Sequence, residues 1–357
     1  MTAVGDQDRA EAVRAAVEHA YEQDWTDGLP VVPATREVVA EFLATTSRDP
    51  EEVLTRMDHL GRQVTVELLA VNAAMAGCRP EYFPVVLAAW QAVMRERAAA
   101  GGGWQSTSGP APLIVVNGPV AGRLGINGAG GVFGPGFRAN ATIARALGLT
   151  VRNALGFHPH VLEQATQGLP GRWTMCIAEN TAENPWDPCC VDGGLDAGAD
   201  AVSATLLRTS EVVDNRHTSD PEKLLGDFAD TISRTGPWIF TRASVGVVFC
   251  PEHAQLLAGA GMSKRDVRGW LAERCGKSIA ELERAGKDGL GDKGVRHASD
   301  PENRPDEAFE RVLPSAAPQH LLIAVAGAAN AGISMVVRQF GLWSATSVPV
   351  ERQGAAQ

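Results

Sequence analysis

The sequence lacks several short motifs that mark well-known chemistry. No C-x-x-C occurs among its six cysteines, which excludes the usual dithiol redox and zinc-ribbon spacings. The full P-loop motif G-x-x-x-x-G-K-[ST] is absent, which argues against nucleotide phosphate binding of that kind. No basic run is present and the net charge is −10. We therefore expect no nucleic acid partner, because neutralising phosphates needs basic surface.

Long hydrophobic runs are also scarce. The longest, residues 321–337, is shorter than a membrane span and contains Asn, Ser and Gly. The first 20 residues predict an amphipathic helix and lack the apolar core of a signal peptide. We therefore expect a cytoplasmic protein without a membrane partner, in a reducing compartment that keeps the cysteines as thiols.

Helical patterns dominate the first part of the chain, and apolar strand patterns alternate with helices in the rest. Helices are predicted at 6–25, 35–46, 50–76 and 81–100. Strand patterns occur at 112–118, 173–180, 201–210, 244–250 and 320–332. Apolar strands that alternate with helices favour an α/β fold with a mostly parallel sheet, flanked by helices and preceded by a helical N-terminal segment.

The same patterns predict how the chain is organised. Residues 1–104 form the helical segment and 105–350 the α/β core, and we expect the helices to pack on the core as one integrated domain. A charged, Gly- and Pro-bearing stretch at 286–318 predicts a surface connection. No internal repeat is apparent in the residues. Ligands of such sheets gather where strands end, here at Asn117-Gly118, Cys250-Pro251 and Gly327.

A glycine-rich loop, GINGAGGVFGPGFRAN at 125–140, runs into a predicted helix. Its backbone N–H groups and the helix dipole could hold an anion, with Arg138 and Asn140 as side-chain donors. GPGFRA fits G-x-G-x-x-A, but it does not directly follow a strand and lacks the acidic ribose partner, so a dinucleotide fingerprint is not predicted. A purely structural loop is the alternative.

Two cysteines precede prolines at predicted helix starts. Cys78 lies beside Arg79 and before Pro80, which predicts a thiol with a lowered pKa; a buried, inert cysteine is the alternative. Cys250 lies three residues before His253, a spacing that suits a nucleophile and its base. For this second pair the sequence favours a core cysteine and a surface histidine.

Adjacent cysteines, Cys189 and Cys190, follow the acidic segment ENPWDP. Nearby carboxylates raise a thiol pKa, and a disulfide between neighbours is strained and easily reduced. We therefore expect one functional thiol at most. The rival interpretation is a zinc site, which either cysteine could complete with three side chains of the segment FHPHVLE, namely His158, His160 and Glu163.

Five segments together resemble a known bacterial family. They are WTDGLPVVPAT, AAMAGCRPEYFPVVLAA, LIVVNGPVAGRLGINGAGGVFGPGFRANATIARAL, GLPGRWTMCIAENTAENPWDP and FCPEHAQLLAGAGMSKRDV. Members of that family are often encoded beside, or fused to, UGSC proteins, which carry a selenocysteine/cysteine-Gly-Ser-Cys motif. The resemblance spans residues 25 to about 340. It differs at CCVDGG and at AGAANAGIS, and no UGSC motif occurs in this chain.

The resemblance implies thiol or selenol chemistry and a UGSC-type redox protein as partner. The family pattern falls on thirteen positions: Asp27, Gly28, Cys78, Arg79, Glu81, Asn117, Gly118, Asn127, Gly134, Gly136, Asn140, Glu179 and Asn180. From these positions and the loop we expect an enzyme that acts on a small polar or anionic metabolite. It would form, reduce or cleave a carbon–sulfur or carbon–heteroatom bond.

In this hypothesis Cys78 is the nucleophile and Glu179 moves protons, which needs a pKa raised by burial; Asn180 and Cys190 complete the catalytic set. Substrate binding is assigned to Arg79, Asn117, Asn127, Gly134, Gly136, Arg138 and Asn140. No cofactor is expected in this case. A zinc-dependent hydrolase or lyase and a non-catalytic, substrate-presenting subunit are the alternatives, and any of the three could form a homo-oligomer.

Overall fold

The computed structural model describes residues 6–170, 175–234, 245–286, 309–311 and 321–351. Its helices are α1 Asp6–Glu22, α2 Arg36–Leu43, α3 Val66–Ala76, α4 Phe83–Arg95, α5 Arg97–Ala100, α6 Pro119–Leu124, α7 Arg138–Asn153, α8 Cys189–Asp192, α9 Pro221–Ser233, α10 Pro251–Gly259, α11 Lys264–Arg274 and α12 Ile279–Arg284. No helix among these residues has both the length and the apolar character that a membrane crossing requires.

The strands are β1 Val53–Met57, β2 Arg62–Thr65, β3 Ala111–Asn117, β4 Cys176–Ala178, β5 Ala201–Asp214, β6 Val245–Phe249, β7 Gly276–Ser278, β8 Phe309–Arg311, β9 Leu322–Val325, β10 Ile333–Gln339 and β11 Ser347–Pro349. Two antiparallel pairs, β1–β2 and β7–β8, stand apart from the main sheet. The main sheet has the order β4-β3-β5-β10-β6-β9, and β11 also pairs with β5.

The α/β architecture with a helical N-terminal part is confirmed, but the expectation of a mostly parallel sheet is wrong. Only β3–β4 and β6–β9 are parallel among the described pairs of the main sheet; β5 and β10 run antiparallel to every neighbour. A parallel return needs a crossover of a dozen or more residues. The connection 326–332 from β9 is too short for one, so the chain turns back as β10.

The sheet has an approximate internal two-fold symmetry. Read from either edge, its pairings are parallel, antiparallel, antiparallel, antiparallel and parallel. Val115 in β3 and Val248 in β6 belong to the same buried apolar cluster, the inner cluster described below. Asn117 and Cys250 lie two residues beyond these valines and therefore occupy equivalent places in the two halves. This relation lies in the strand pairing rather than in repeated residues.

The sheet curls until the ends of its two edge strands meet. The N–H of Asn180, just after β4, donates to the carbonyl of Val325 in β9 at 2.8 Å. The N–H of Gly327 donates to the carbonyl of Gly128 in the glycine-rich loop, also at 2.8 Å. The carboxyl ends of both parallel strand pairs are thereby brought together, and the glycine-rich loop lies across them.

Three apolar clusters fill this architecture. The inner cluster occupies the concave side of the curled sheet and includes Leu113, Val115, Ile177, Val248, Ala324 and Val337. A second cluster packs α2, α3, α4 and α7 against the outer face of β3, β4 and β5. A third packs α9, α10 and α11 against the outer face of β6, β9 and β10. The helices of 1–104 thus share a core with the first half of the sheet.

One local prediction needs correction, and another lies mostly outside the described residues. The predicted helix 50–76 contains the β1–β2 hairpin, and α3 begins only at Val66, where Thr65 caps it by accepting the N–H of Leu68 at 3.2 Å. The helix ends at Gly77, whose φ of +88° suits a residue without a side chain. The predicted connection 286–318 falls mostly on residues outside those described.

Candidate functional site

A cavity of about 290 Å³ opens at the carboxyl end of β6. The glycine-rich loop forms one wall, the turn between β9 and β10 forms another, and Cys250 lies between them. The residues that line it are Gly130, Gly131, Val132, Phe133, Gly134, Val212, Val248, Cys250, Ala326, Gly327, Ala328, Asn330, Ala331, Ile333, Ser334 and Met335. None of them is charged.

Local sequence places the Cys250 sulfur at this cavity. Strand β6 ends at Phe249, and Cys250 is the N-cap of α10, with Pro251 at the first helical position. A proline there fixes a helical φ without losing a backbone hydrogen bond. Cys250 is 3% exposed. The residue is thus almost fully buried and at the same time lines the cavity.

Three further groups form a hydrogen-bonded series beside the thiol. Ser334 Oγ accepts the N–H of Cys250 at 2.9 Å and lies 2.8 Å from Nδ1 of His253. The other ring nitrogen, Nε2, lies 2.9 Å from the carbonyl oxygen of Asn215. Since a carbonyl only accepts, Nε2 must carry a proton. A neutral His253 therefore has its free acceptor at Nδ1, on the side of Ser334 and Cys250.

The electrostatics of this pair favour a charge-separated form. Burial raises the pKa of the Cys250 thiol, but hydrogen bonds from the His253 ring, the Ser334 hydroxyl and the His253 backbone outweigh it, so the pKa lies below its ordinary value. Burial lowers the pKa of His253, yet Cys250 and the Asn215 carbonyl raise it above the usual imidazole value. Both shifts favour the thiolate–imidazolium pair over the neutral pair.

Glycine is required where the turn before β10 passes the histidine. A Cβ on Gly332 would lie 2.7 Å from His253 Nε2 and 2.5 Å from the carbonyl oxygen of Asn215. Real Cβ atoms do not approach backbone oxygens so closely. The Asn215 N–H also donates to the Gly332 carbonyl at 2.9 Å. The backbone of the turn thus fixes the plane of the imidazole.

The predicted substrate donors of the loop are used to hold the loop itself. Asn140 Oδ1 accepts the N–H of Asn127 at 2.8 Å, and Asn140 Nδ2 donates to the carbonyls of Asn127 and Cys176 at 3.0 and 2.9 Å. Asn127 in turn bonds the loop at Gly130 and Ala129. Both amides are positioning groups for the loop. Of the predicted binding residues, Gly134 lies on the cavity wall and Gly136 does not.

The structure corrects the central prediction about Cys78. This residue follows the C-cap of α3. It is buried in the second cluster, where α2, α3, α4 and α7 pack against the outer face of β3, β4 and β5. Burial raises the pKa of its thiol to about 12, although Thr142, Arg138 and Arg145 oppose the rise. This direction is opposite to the lowered pKa predicted for Cys78, because the short turn that follows offers too little charge to offset the loss of hydration.

Arg79, which was expected to support Cys78, and Arg138, which was expected to bind the substrate, serve other contacts. Arg79 is half exposed and lies 3.7 Å from Glu81. Arg138 donates to the carbonyl of Gly77 at 2.9 Å, and more weakly to that of Cys78. Neither is placed to bind a substrate at the cavity beside Cys250, whose walls do not include them.

Glu179 is a buried structural carboxylate. Its Oε2 accepts from Asn117 Nδ2 and from the N–H of Cys189, both at 2.6 Å. Its Oε1 accepts from the N–H of Val325 at 3.0 Å and from Asn184 Nδ2 at 3.3 Å. These four bonds join β3, β4, β9 and the loop before α8. Glu179 is not among the residues that line the cavity beside Cys250.

The cysteine pair closes the first half of the sheet. Cys189 is buried, with Sγ 3.2 Å from Asn117 Oδ1, and burial, with Glu179 nearby, raises its pKa. For Cys190, burial and Glu179 raise the pKa to about 11. Asn180 Nδ2 donates to the Gly327 carbonyl at 3.0 Å. In the first half of the sheet, the segment that carries Cys189 therefore contacts Asn117, the counterpart of Cys250.

The proposed zinc ligands are not assembled. Among the described residues, no group of three or more His, Cys, Asp or Glu side chains is arranged to hold a metal ion. His158 Nδ1 instead lies 2.9 Å from Asp24 Oδ2. Glu163 accepts the N–H of Ala165 at 2.7 Å, and His160 occupies a left-handed turn with φ of +66°.

Other positions of the family pattern also have structural contacts. Asp27 accepts two hydrogen bonds from Arg145, at 2.7 and 2.8 Å, which tie the segment after α1 to α7. Gly28 has a φ of +95°, and Gly118 one of +86°. A Cβ on Gly118 would lie 2.3 Å from the Ala199 carbonyl oxygen. These positions are explained by packing and turn geometry.

The spacing of Cys250 and His253 is visible in the sequence, which nevertheless favoured a core cysteine and a surface histidine. Nothing in the sequence pointed to Ser334 or Asn215. Both missed residues approach the pair from other parts of the chain, 84 residues away in the case of Ser334 and Cys250. The signal that could have favoured the pair was Pro251, which fixes a helix start directly after a buried strand. In comparisons with protein-family models, curated proteins and solved structures, nothing matches this chain.

Proposed function

We propose that this chain is a thiol-dependent enzyme whose reactive group is Cys250, and that it acts on a small metabolite by forming or cleaving a carbon–sulfur or carbon–heteroatom bond. The observation that carries the proposal is the Cys250 sulfur on the wall of a 290 Å³ cavity, with His253 and Ser334 lowering its pKa. A thiolate at neutral pH is a strong nucleophile, and a protonated imidazole beside it can supply a proton to a leaving group.

The proposal keeps the thiol chemistry expected from the sequence and moves it to another sulfur. Arg138, the cation expected to meet an anionic substrate, bonds to backbone carbonyls. The cavity walls carry no charged side chain. We therefore retain a small substrate without requiring it to be anionic.

Alkylation by iodoacetamide across pH, with the modified cysteines mapped by mass spectrometry, tests the proposal. Cys250 is expected to react with a midpoint below that of a free thiol, and Cys250→Ser should abolish both this reaction and turnover. Cys78→Ala serves as the matched control and should leave both unchanged. Ordinary thiol titration of Cys250, or labelling of Cys78 first, would refute the assignment.

The partner expected from the resemblance is a UGSC-type redox protein, and this too is a proposal. It leaves open a non-catalytic chain that only presents a bound metabolite. Turnover by the isolated chain after mixing with candidate substrates separates the two cases. Binding with complex formation and no turnover would favour the presenting subunit.

A further inference from the structure

Resting on the proposed function, we infer that the substrate bound beside Cys250 is an uncharged acyl compound, a thioester or ester with a short apolar chain, and that the enzyme forms an acyl-cysteine on Cys250. Three features support this assignment: the apolar cavity walls, the unpaired amides of the glycine-rich loop, and Cys250 as the single cysteine among the cavity-lining residues.

The cavity walls exclude a charged substrate moiety. Six of the lining side chains are large and apolar, namely Val132, Phe133, Val212, Val248, Ile333 and Met335, and none of the lining side chains is charged. A carboxylate or phosphate placed there would lose its hydration without gaining an ion pair, which is strongly unfavourable. An apolar chain in the same place loses contact with water and packs against these side chains.

The glycine-rich loop supplies donors for a developing oxyanion. The backbone N–H groups of Gly130, Gly131, Val132 and Phe133 meet no acceptor among the described residues. All four residues lie on the cavity wall. Preorganised amides of this kind stabilise the oxygen of a tetrahedral intermediate more than they stabilise a ground-state carbonyl.

The loop is held firmly enough for this role. A Cβ on Gly128 would lie 2.7 Å from the carbonyl oxygen of Ala178, so the loop presses directly on the end of β4. The Gly128 carbonyl accepts the N–H of Gly327 at 2.8 Å, which anchors it to the turn after β9 as well. Because the loop is anchored at both places, its amide donors need little reorganisation when negative charge develops on the substrate oxygen.

Thiol–disulfide chemistry fits this cavity less well. All six cysteines are free, and Cys250 is the only one among the cavity-lining residues. A dithiol exchange needs a second, resolving thiol within reach. Acyl transfer needs a nucleophile, an acid for the leaving group and oxyanion donors, and the cavity region offers all three.

The Cys250 thiolate attacks the carbonyl carbon, a carbon–sulfur bond forms, and the carbonyl π electrons move to the oxygen that the loop amides face. When the carbonyl re-forms, the bond to the leaving thiol or alcohol breaks, and that group takes the hydroxyl proton of Ser334, which lines the cavity and is resupplied by His253 Nδ1 at 2.8 Å. Water then adds to the acyl-cysteine, with His253 acting as base through the Ser334 hydroxyl, which releases a carboxylic acid and restores the thiol.

Two thioesters of N-acetylcysteamine test the substrate class, one with a butyryl group and one with a succinyl group of the same carbon count and an added carboxylate. The full-length chain is mixed with each at pH 7, and both the mass of Cys250 and the loss of thioester absorbance are followed, so a short-lived acyl-enzyme is also detected. The butyryl probe is expected to react about tenfold faster or more, equal to about 1.4 kcal/mol in the barrier.

A charge placed on the wall should reverse this preference. Ile333 lines the cavity and is 38% exposed, so Ile333→Lys adds a cation without burying it completely. We expect this variant to react with the succinyl probe at least as fast as with the butyryl probe. Val161→Lys, at an exposed position outside the cavity lining, should leave the preference of the native chain unchanged.

The outcomes separate this inference from the proposed function. Equal or faster reaction of the succinyl probe with the native chain overturns the uncharged substrate. Alkylation of Cys250 by iodoacetamide at pH 6, with acylation by neither probe, overturns the acyl chemistry and leaves the thiolate enzyme standing. Absence of both reactions refutes the two proposals together.

Discussion

Ser334 Oγ lies 2.8 Å from Nδ1 of His253, although the two residues are 81 positions apart in the chain. The same oxygen accepts the N–H of Cys250, so one hydroxyl links the strand β10 to the start of α10. Because His253 Nε2 is bound to a carbonyl, this contact decides which ring nitrogen exchanges a proton with the cavity.

Removal of the Ser334 hydroxyl should weaken the Cys250 thiolate. Burial raises the pKa of Cys250 and the hydrogen bonds of His253 and Ser334 lower it, so Ser334→Ala is expected to move the alkylation midpoint to higher pH. Losing one charge-assisted hydrogen bond to the thiolate should lower the rate of Cys250 alkylation near pH 7 roughly tenfold. Iodoacetamide kinetics across pH measure this. Ser347→Ala, at another buried serine, is the control; an unshifted midpoint in Ser334→Ala would contradict the hydrogen-bonded series.

A methyl group at Gly332 should displace the imidazole. The added Cβ would meet His253 Nε2 at 2.7 Å and the Asn215 carbonyl oxygen at 2.5 Å, so Gly332→Ala is expected to lower stability by about 1–3 kcal/mol and to slow alkylation of Cys250. Urea unfolding and iodoacetamide kinetics report the two effects.

The control for that variant is Gly226→Ala in α9, where a Cβ meets nothing within 4 Å. Since alanine favours a helix over glycine, this control should gain up to about 1 kcal/mol and keep its alkylation rate. Equal behaviour of the two variants would show that the turn does not constrain His253.

Replacing Glu179 tests a structural against a catalytic role. Glu179→Gln puts an NH₂ group where the carboxylate accepts from Asn117, Cys189 and Val325. Donors then face donors, and the free energy of unfolding should fall by about 3 kcal/mol. Below the unfolding transition, the rate of Cys250 alkylation should stay unchanged. Glu51→Gln, at an exposed position, is the matched control; abolished turnover with full stability would restore Glu179 to the reaction.

Glu96 should make stability depend on pH near neutrality. Burial raises its pKa to about 7, opposed by a hydrogen bond from Ser344. The folded chain therefore holds this proton more tightly than the unfolded chain. The stability that Glu96 contributes is present at low pH and is lost as pH rises through about 7.

Glu96→Gln removes that titration. Above pH 7 the variant is expected to be more stable than the native chain, by at most about 3 kcal/mol, with the difference shrinking toward pH 5. Thermal unfolding measured from pH 5 to pH 9 reports the trend. If the difference in stability between Glu96→Gln and the native chain does not depend on pH, or grows toward acidic pH, then the pKa of Glu96 is not raised.

Much of the fold was predictable because burial leaves a strong mark on short segments. Strand β3 is buried along its whole length and β6 likewise, and both read as apolar runs. The hairpin β1–β2 was missed because its exposed face mixes polar residues into a pattern that continues into α3. Strand β10 was missed because it follows β9 after a turn of small residues, which reads as one apolar run.

The candidate site was only half predictable. Position alone marks Cys78 and Cys250 as similar, since each precedes a proline at a helix start. Burial raises the pKa of the first to about 12, whereas hydrogen bonds outweigh burial at the second. The partners that make this difference come from distant strands and turns, and no local pattern encodes them.

By itself, the sequence determined the α/β class, the helical start and the glycine-rich loop, because periodic burial and glycine turns are local properties of a chain. The direction of the strands, the curl of the sheet and the contrast between the surroundings of Cys78 and Cys250 were decided only by the tertiary structure. A thiol pKa depends on hydration and on hydrogen bonds within a few ångströms, and the residues that provide both at Cys250 meet only after β6 and β10 have paired.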